Sequence, residues 1–77
     1  MSTSVSVEKI QELVGRQLGI RSVKADDDLM ADLGVESVDF LNLVGVLEES
    51  FDIKVSSQEL ETLKTVRDLH TLLLDKV

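Results

Sequence analysis

Ser37-Val38-Asp39-Phe40-Leu41-Asn42-Leu43-Val44-Gly45-Val46-Leu47-Glu48-Glu49-Ser50-Phe51 is the stretch on which the architecture turns. Its residues Phe40, Leu43, Val44, Leu47 and Phe51 are spaced i, i+3, i+4, i+7 and i+11, the interval at which a helix stacks side chains on one face. A half-buried strand would alternate apolar and polar residues, and this stretch does not. The spacing predicts an amphipathic helix from about Ser37 to Phe51, with that stripe turned to a core.

The same period recurs on both sides. Upstream, Val7, Ile10, Val14 and Leu18 share a face with Leu13 beside them, predicting a helix from about Val5 to Leu18 that Gly19 ends in a left-handed turn. Downstream, Ser56 and Glu59 form the serine-x-x-glutamate pattern of a capping box and open a short third helix. A last helix starts near Thr65, with Val66, Leu69, Leu72 and Leu73 on its buried side and Asp68 favourably placed in its first turn. Residues 19 to 36 form a long connection for a small domain. Leu29 and Leu33, four apart, are expected to pin one turn of helix onto the core. The fold class is therefore all-α: a small four-helix bundle with a long loop between helices one and two and a short third helix, spanning residues 1–77 as one domain.

A chain of 77 residues buries only about 60% of its unfolded surface, so its stability is modest. It has no cysteine and one histidine, His70, which leaves neither disulfide nor zinc site to reinforce it. Any thiol it carries must come from a prosthetic group. Met1-Ser2-Thr3-Ser4 lacks the basic and apolar regions of a signal peptide, and no apolar run approaches membrane-spanning length, so the expected compartment is the cytoplasm. Asp26-Asp27-Asp28 with Asp32 invites a calcium reading. It fails the EF-hand spacing, because Met30 and Ala31 fall where an oxygen ligand and glycine belong, and no metal site is expected. His70 lies on or beside the stripe of the last helix, where packing or a surface role outweighs general-base chemistry.

Charge is distributed unevenly. No lysine or arginine lies between Lys24 and Lys54, yet that window holds nine carboxylates: Asp26, Asp27, Asp28, Asp32, Glu36, Asp39, Glu48, Glu49 and Asp52. The segment before it has four bases and two acids, and the segment after it four of each, so the net charge of −7 arises wholly around Ser37. A one-signed field steers oppositely charged partners, which points to basic proteins. Nucleic acid is excluded, since a phosphate-backbone binder needs a basic face.

Ser37 stands at or next to the start of helix two, after Gly34, which permits a tight approach. Backbone N–H groups lack partners there and the dipole end is positive, a setting that suits a phosphate ester. The plain alternative is that Ser37 merely caps the helix. Against it, a capping box would place Glu or Gln where Phe40 stands, and Glu36 is available to cap instead. Val38 and Leu41 lie off the core stripe, three apart, and Gly45 and Glu48 continue their line. An apolar strip flanked by Asp39, Glu48 and Glu49 has the composition of a transient docking face. Gly45 inside a helix costs roughly 1 kcal/mol against alanine, for which close approach of a partner or of helix one would account.

The stretch DLGVESVDFLNLVGVLEESFDIKV, and with it nearly the whole chain, resembles the acyl carrier proteins and their peptidyl or aminoacyl carrier relatives. The resemblance rests on the turn Asp32-Leu33-Gly34, on Ser37 in the position of the modified serine, and on the acidic end Glu48-Glu49-Ser50-Phe51-Asp52 with extended Ile53-Lys54-Val55 after it. Thr65-Val66-Arg67-Asp68-Leu69 also fits the family's last helix. What it implies is a four-helix, non-catalytic carrier. Its Ser37 would be esterified by 4'-phosphopantetheine from coenzyme A, through a separate magnesium-dependent phosphopantetheinyl transferase. The arm's thiol would hold acyl or aminoacyl groups as thioesters, for loading enzymes, synthases and transferases with basic docking patches. Glu36, Val38, Asp39, Leu41, Glu48 and Glu49 would form the docking face of a stand-alone monomer. Three departures stand out: Glu36 replaces the usual aspartate, Val38 the common leucine, and Asn42 and Gly45 stand where fatty-acid carriers often have glutamate and methionine. They point away from a housekeeping fatty-acid carrier, towards a specialised pathway. The alternative is an unmodified acidic adaptor that kept the fold and binds basic proteins through the same face.

Overall fold

The computed structural model describes residues 5–76, so the readings made on Met1–Ser4 and the last residue of the domain lie outside the described residues. Four helices follow one another: α1 (Val7–Leu18), α2 (Ser37–Phe51), α3 (Ser57–Thr62) and α4 (Val66–Lys76). No helix among the described residues is long and apolar enough to cross a membrane. The molecule measures 36 × 25 × 18 Å.

Helix starts are set by side-chain caps. Ser6 caps α1, its hydroxyl accepting from the Lys9 N–H at 3.1 Å. This is why the helix begins at Val7 and not at Val5 as the periodicity implied. Val5 nevertheless belongs to the core, as does Ile10, the two positions of a hydrophobic staple around that cap. At α3 the expected box is complete: Ser56 Oγ accepts from the Glu59 N–H (3.2 Å) and Glu59 Oε1 from the Ser56 N–H (2.9 Å). Thr65 and Asp68 make a similar reciprocal pair at α4, through Asp68 N–H to Thr65 Oγ1 (3.1 Å) and Thr65 N–H to Asp68 Oδ2 (3.1 Å). Gly19 ends α1 at φ +70°.

The α2 stripe is buried as its spacing requires, with Phe40, Leu43, Val44 and Leu47 inside and Phe51 half-buried. It meets Ile10 and Val14 of α1 and Val66, Leu69 and Leu73 of α4 in one core cluster. Helix α1 packs against both α4 and α2. His70 is half-buried, and its Nε2 donates to the Val5 carbonyl at 2.7 Å, a packing role that ties the segment before α1 to α4.

The α1–α2 connection differs from the expected helical turn. Leu29 is buried and Leu33 half-buried, but residues 29–33 form hydrogen-bonded turns. Asp28 organises them: its Oδ1 accepts from the Met30 and Ala31 N–H groups (3.0 and 2.8 Å), while Asp32 Oδ2 accepts from the Asp28 N–H (2.8 Å). The Asp32 N–H to Asp28 C=O bond (2.8 Å) closes a single turn that does not propagate. The loop is then fastened to the start of α4. Leu29 N–H donates to the Lys64 carbonyl and Arg67 N–H to the Ala25 carbonyl, both at 2.8 Å, and the Arg67 guanidinium grips Asp26 at 2.7 and 3.3 Å.

Candidate functional site

Ser37 sits where the loop hands over to α2. Gly34 turns the chain at φ +68°, a conformation that side chains with a Cβ disfavour. Val35 is buried and its N–H donates to the Leu29 carbonyl at 2.9 Å, which fixes the approach to the helix. Glu36 occupies the cap position with extended backbone (φ −80°, ψ 158°), and Ser37 is the first helical residue, exposed to solvent.

Glu36, not Ser37, takes the cap position of this helix. Ser37 lies one residue inside the cap position, and the Glu36 side chain makes no cap hydrogen bond. The first helical bond runs from the Phe40 N–H to the Glu36 carbonyl at 2.9 Å, so the Ser37, Val38 and Asp39 amides precede the ladder. The other three helices close this gap with Ser6, Ser56 and Thr65. The longest helix is thus left with open amides beside an exposed hydroxyl, and those donors suit the oxygens of a phosphate diester. The residues present fit a phosphate-linked group.

Val38 and Leu41 stand well out of the fold, at 61% and 54% exposure. Glu36, Asp39 and Glu49 are exposed around them. Glu48 differs from its neighbours. It is half-buried and its Oε2 accepts from the Val55 N–H at 2.8 Å, fixing the chain as it leaves α2. Part of its carboxylate is therefore occupied structurally. The carboxylates before α2 are also engaged: Asp28 and Asp32 hold the turn, Asp27 accepts from the Lys24 N–H, and hydrogen bonding to Arg67 holds the Asp26 carboxyl below the usual aspartate range. Among the described residues no group of three His, Cys, Asp or Glu could hold a metal ion.

An open cleft of about 420 Å³ lies between the loop and the α3–α4 junction, with Leu29, Phe40 and Leu63 among its lining and Met30 and Lys64 at its edge. Phe40 is one turn beyond Ser37, so the cleft lies close to the serine. A larger hollow between α3 and α4 includes no α2 residue. Sequence reasoning missed Met30, which is 46% exposed in the loop. Asp28 Oδ1 accepts from the Met30 and Ala31 amides, and in this turn Leu29 is buried while Met30 stands outward.

Residues 8–73 match the phosphopantetheine attachment site family. The chain belongs to the acyl carrier protein family. It is 41% identical to an acyl carrier protein of Akkermansia muciniphila over 90% of this chain and 89% of that one. It is 37% identical to an acyl carrier protein of Bdellovibrio bacteriovorus, covering 88% and 90%. Among solved structures, a Mycobacterium tuberculosis protein described as an acyl carrier protein superposes with a TM-score of 0.81 at 33% identity, over 90% of this chain and 95% of that one. The family's group is a covalently attached 4'-phosphopantetheine. The all-α, four-helix architecture expected from the periodicity is the one observed, and it is shared with this structural neighbour.

Proposed function

We propose that Ser37 Oγ is the attachment point of 4'-phosphopantetheine, and that this chain carries acyl or aminoacyl groups as thioesters between enzymes of fatty-acid, polyketide or related biosynthesis. The observation that carries this reading is an exposed serine in the first turn of a helix that has no side-chain cap. When attached, the group supplies a thiol to a chain that has no cysteine. The chain's own residues present and steer. Ser37 offers its hydroxyl to a phosphopantetheinyl transferase, which needs magnesium and coenzyme A. The amides of Ser37, Val38 and Asp39 meet the diester oxygens. Val38 and Leu41 give apolar contact, and Glu36, Asp39, Glu49 and the free part of Glu48 attract basic docking patches on the loading enzymes and synthases. The protein works as a cytoplasmic monomer and moves cargo without transforming it.

Intact mass after incubation with coenzyme A, magnesium and a broad-specificity phosphopantetheinyl transferase tests this. The expected result is a gain of one arm by the wild type and none by Ser37→Ala. No gain with several transferases would overturn the carrier reading and favour an acidic adaptor. A gain that persists in Ser37→Ala would move the attachment elsewhere.

A further inference from the structure

Lys64 is the one base that lines the cleft beside Ser37. The buried Leu29, Phe40 and Leu63 give that cleft an apolar floor, and Lys64 is exposed at its edge. Its main chain is held from two sides. The Lys64 N–H donates to Asp68 Oδ2 at 3.0 Å, and its carbonyl accepts from the Leu29 N–H at 2.8 Å. The root of the side chain is thus fixed between the loop and α4, with the ammonium at its mobile end.

The carboxylates nearby are spent on other groups. Asp28, which also lines the cleft, accepts from the Met30 and Ala31 N–H groups. Asp32 accepts from the Asp28 N–H, Asp68 from the Lys64 and Thr65 N–H groups, and Asp26 is gripped by Arg67. The ion pairs among the described residues use Arg16, Arg67 and Lys76, and the Lys64 ammonium makes neither an ion pair nor a hydrogen bond there. The cleft therefore offers apolar surface together with one cation that has no internal partner.

A chain tethered at Ser37, one turn from Phe40, meets this cleft at an effective concentration of about millimolar. An alkyl cargo would cover the floor but take water from the ammonium and return nothing. A cargo that ends in a carboxylate covers the same floor and gives the ammonium a charge-assisted hydrogen bond. We infer that Lys64 is a specificity-determining residue that favours acyl cargo ending in a carboxylate, the thioesters of dicarboxylic acids. The inference deepens the carrier reading of Ser37 and rests on it.

The test loads the wild type, Lys64→Gln and, as a control for charge away from the cleft, Lys54→Gln. A phosphopantetheinyl transferase and magnesium are used with coenzyme A, hexanoyl-coenzyme A or adipyl-coenzyme A, and intact mass confirms each product. Both cargoes have six carbons and differ in the terminal carboxylate. The melting temperature of the adipyl form minus that of the hexanoyl form should be about 2–4 °C greater in the wild type than in Lys64→Gln, as one exposed ion pair in a small domain would give. That excess should shrink in about 1 M salt. The adipyl carboxyl, followed by carbon-13 NMR, should titrate lower in the wild type than in Lys64→Gln. Lys54→Gln should behave as the wild type in both. Equal melting differences and equal titrations in the wild type and Lys64→Gln would overturn the inference and leave Ser37 as the attachment point. A melting gain that is complete with the bare arm, is lost in Lys64→Gln and grows with neither cargo would assign the lysine to the phosphodiester and also overturn it. A wild type whose mass no donor changes would overturn the carrier reading, and this inference with it, before any cargo is compared.

Discussion

Two glycines in this chain sit inside helices in opposite surroundings: a Cβ built at Gly45 meets nothing within 4 Å, so helix α1 does not need the space there. The Cβ of an alanine at 15 would press on the Ile20 carbonyl, a backbone atom that also receives no relief from its neighbours, because the Ile20 N–H already donates to the Gly15 carbonyl at 2.8 Å. Alanine gains about 1 kcal/mol in helix propensity, but forced overpacking costs about 1–3 kcal/mol. Gly15→Ala is therefore expected to lower stability by about 1 kcal/mol in urea denaturation, while Gly45→Ala raises it by a similar amount. A stabilising Gly15→Ala would show that the α1 terminus yields more easily than its hydrogen bonds imply. Ser37 follows the same logic of local supply. Its hydroxyl is exposed because Glu36 takes the cap position, and its amide is open because Glu36 leaves the capping bond unmade.

Helix ends carry much of the order between elements. The Glu59 carboxylate serves two groups: it completes the α3 capping box and its Oε1 also meets the Lys76 Nζ of α4 at 3.1 Å. The Ser56 backbone N–H, and after it Lys76, hold the Glu59 carboxyl below the usual glutamate range. A carboxyl whose value is lowered on folding contributes stability above its unfolded value and loses it as pH falls through the folded one. Glu59→Gln keeps an acceptor for the box and removes the charge. It should melt below the wild type at neutral pH, and the gap should close as pH drops below the usual glutamate range. A gap that stays constant with pH would assign the effect to packing. The loop before α2 depends on the same kind of tie, since Asp26 and Ala25 are held by Arg67, and the turn around Asp28 delivers Val35 and then Ser37 to their places.

The molecule as a whole is small and carries a net charge of −7 concentrated around its α2 face. Repulsion within that face opposes folding, and the same field draws basic partners. Raising salt from about 0.01 M to about 1 M shortens the screening length from about 30 Å to about 3 Å. The melting temperature should rise over that range while transferase kcat/KM falls steeply. A melting temperature that drops with salt, or a loading rate that stays flat, would remove charge from the account. Much of this was legible in the sequence alone: α2 with both its ends, the start of α3, the buried stripes of α1, α2 and α4, the acidic window and the exposed Val38 and Leu41. These depend on periodicity and on caps that act within about four residues, so the order of residues determines them. The tertiary structure alone decided that the loop is fastened by Arg67 to Asp26 and by Leu29 to Lys64, that Glu48 is half spent on Val55, and that Gly15 is crowded while Gly45 faces open space. Such contacts join groups far apart in the chain, or depend on what stands above a helix face, and neither period nor spacing encodes them.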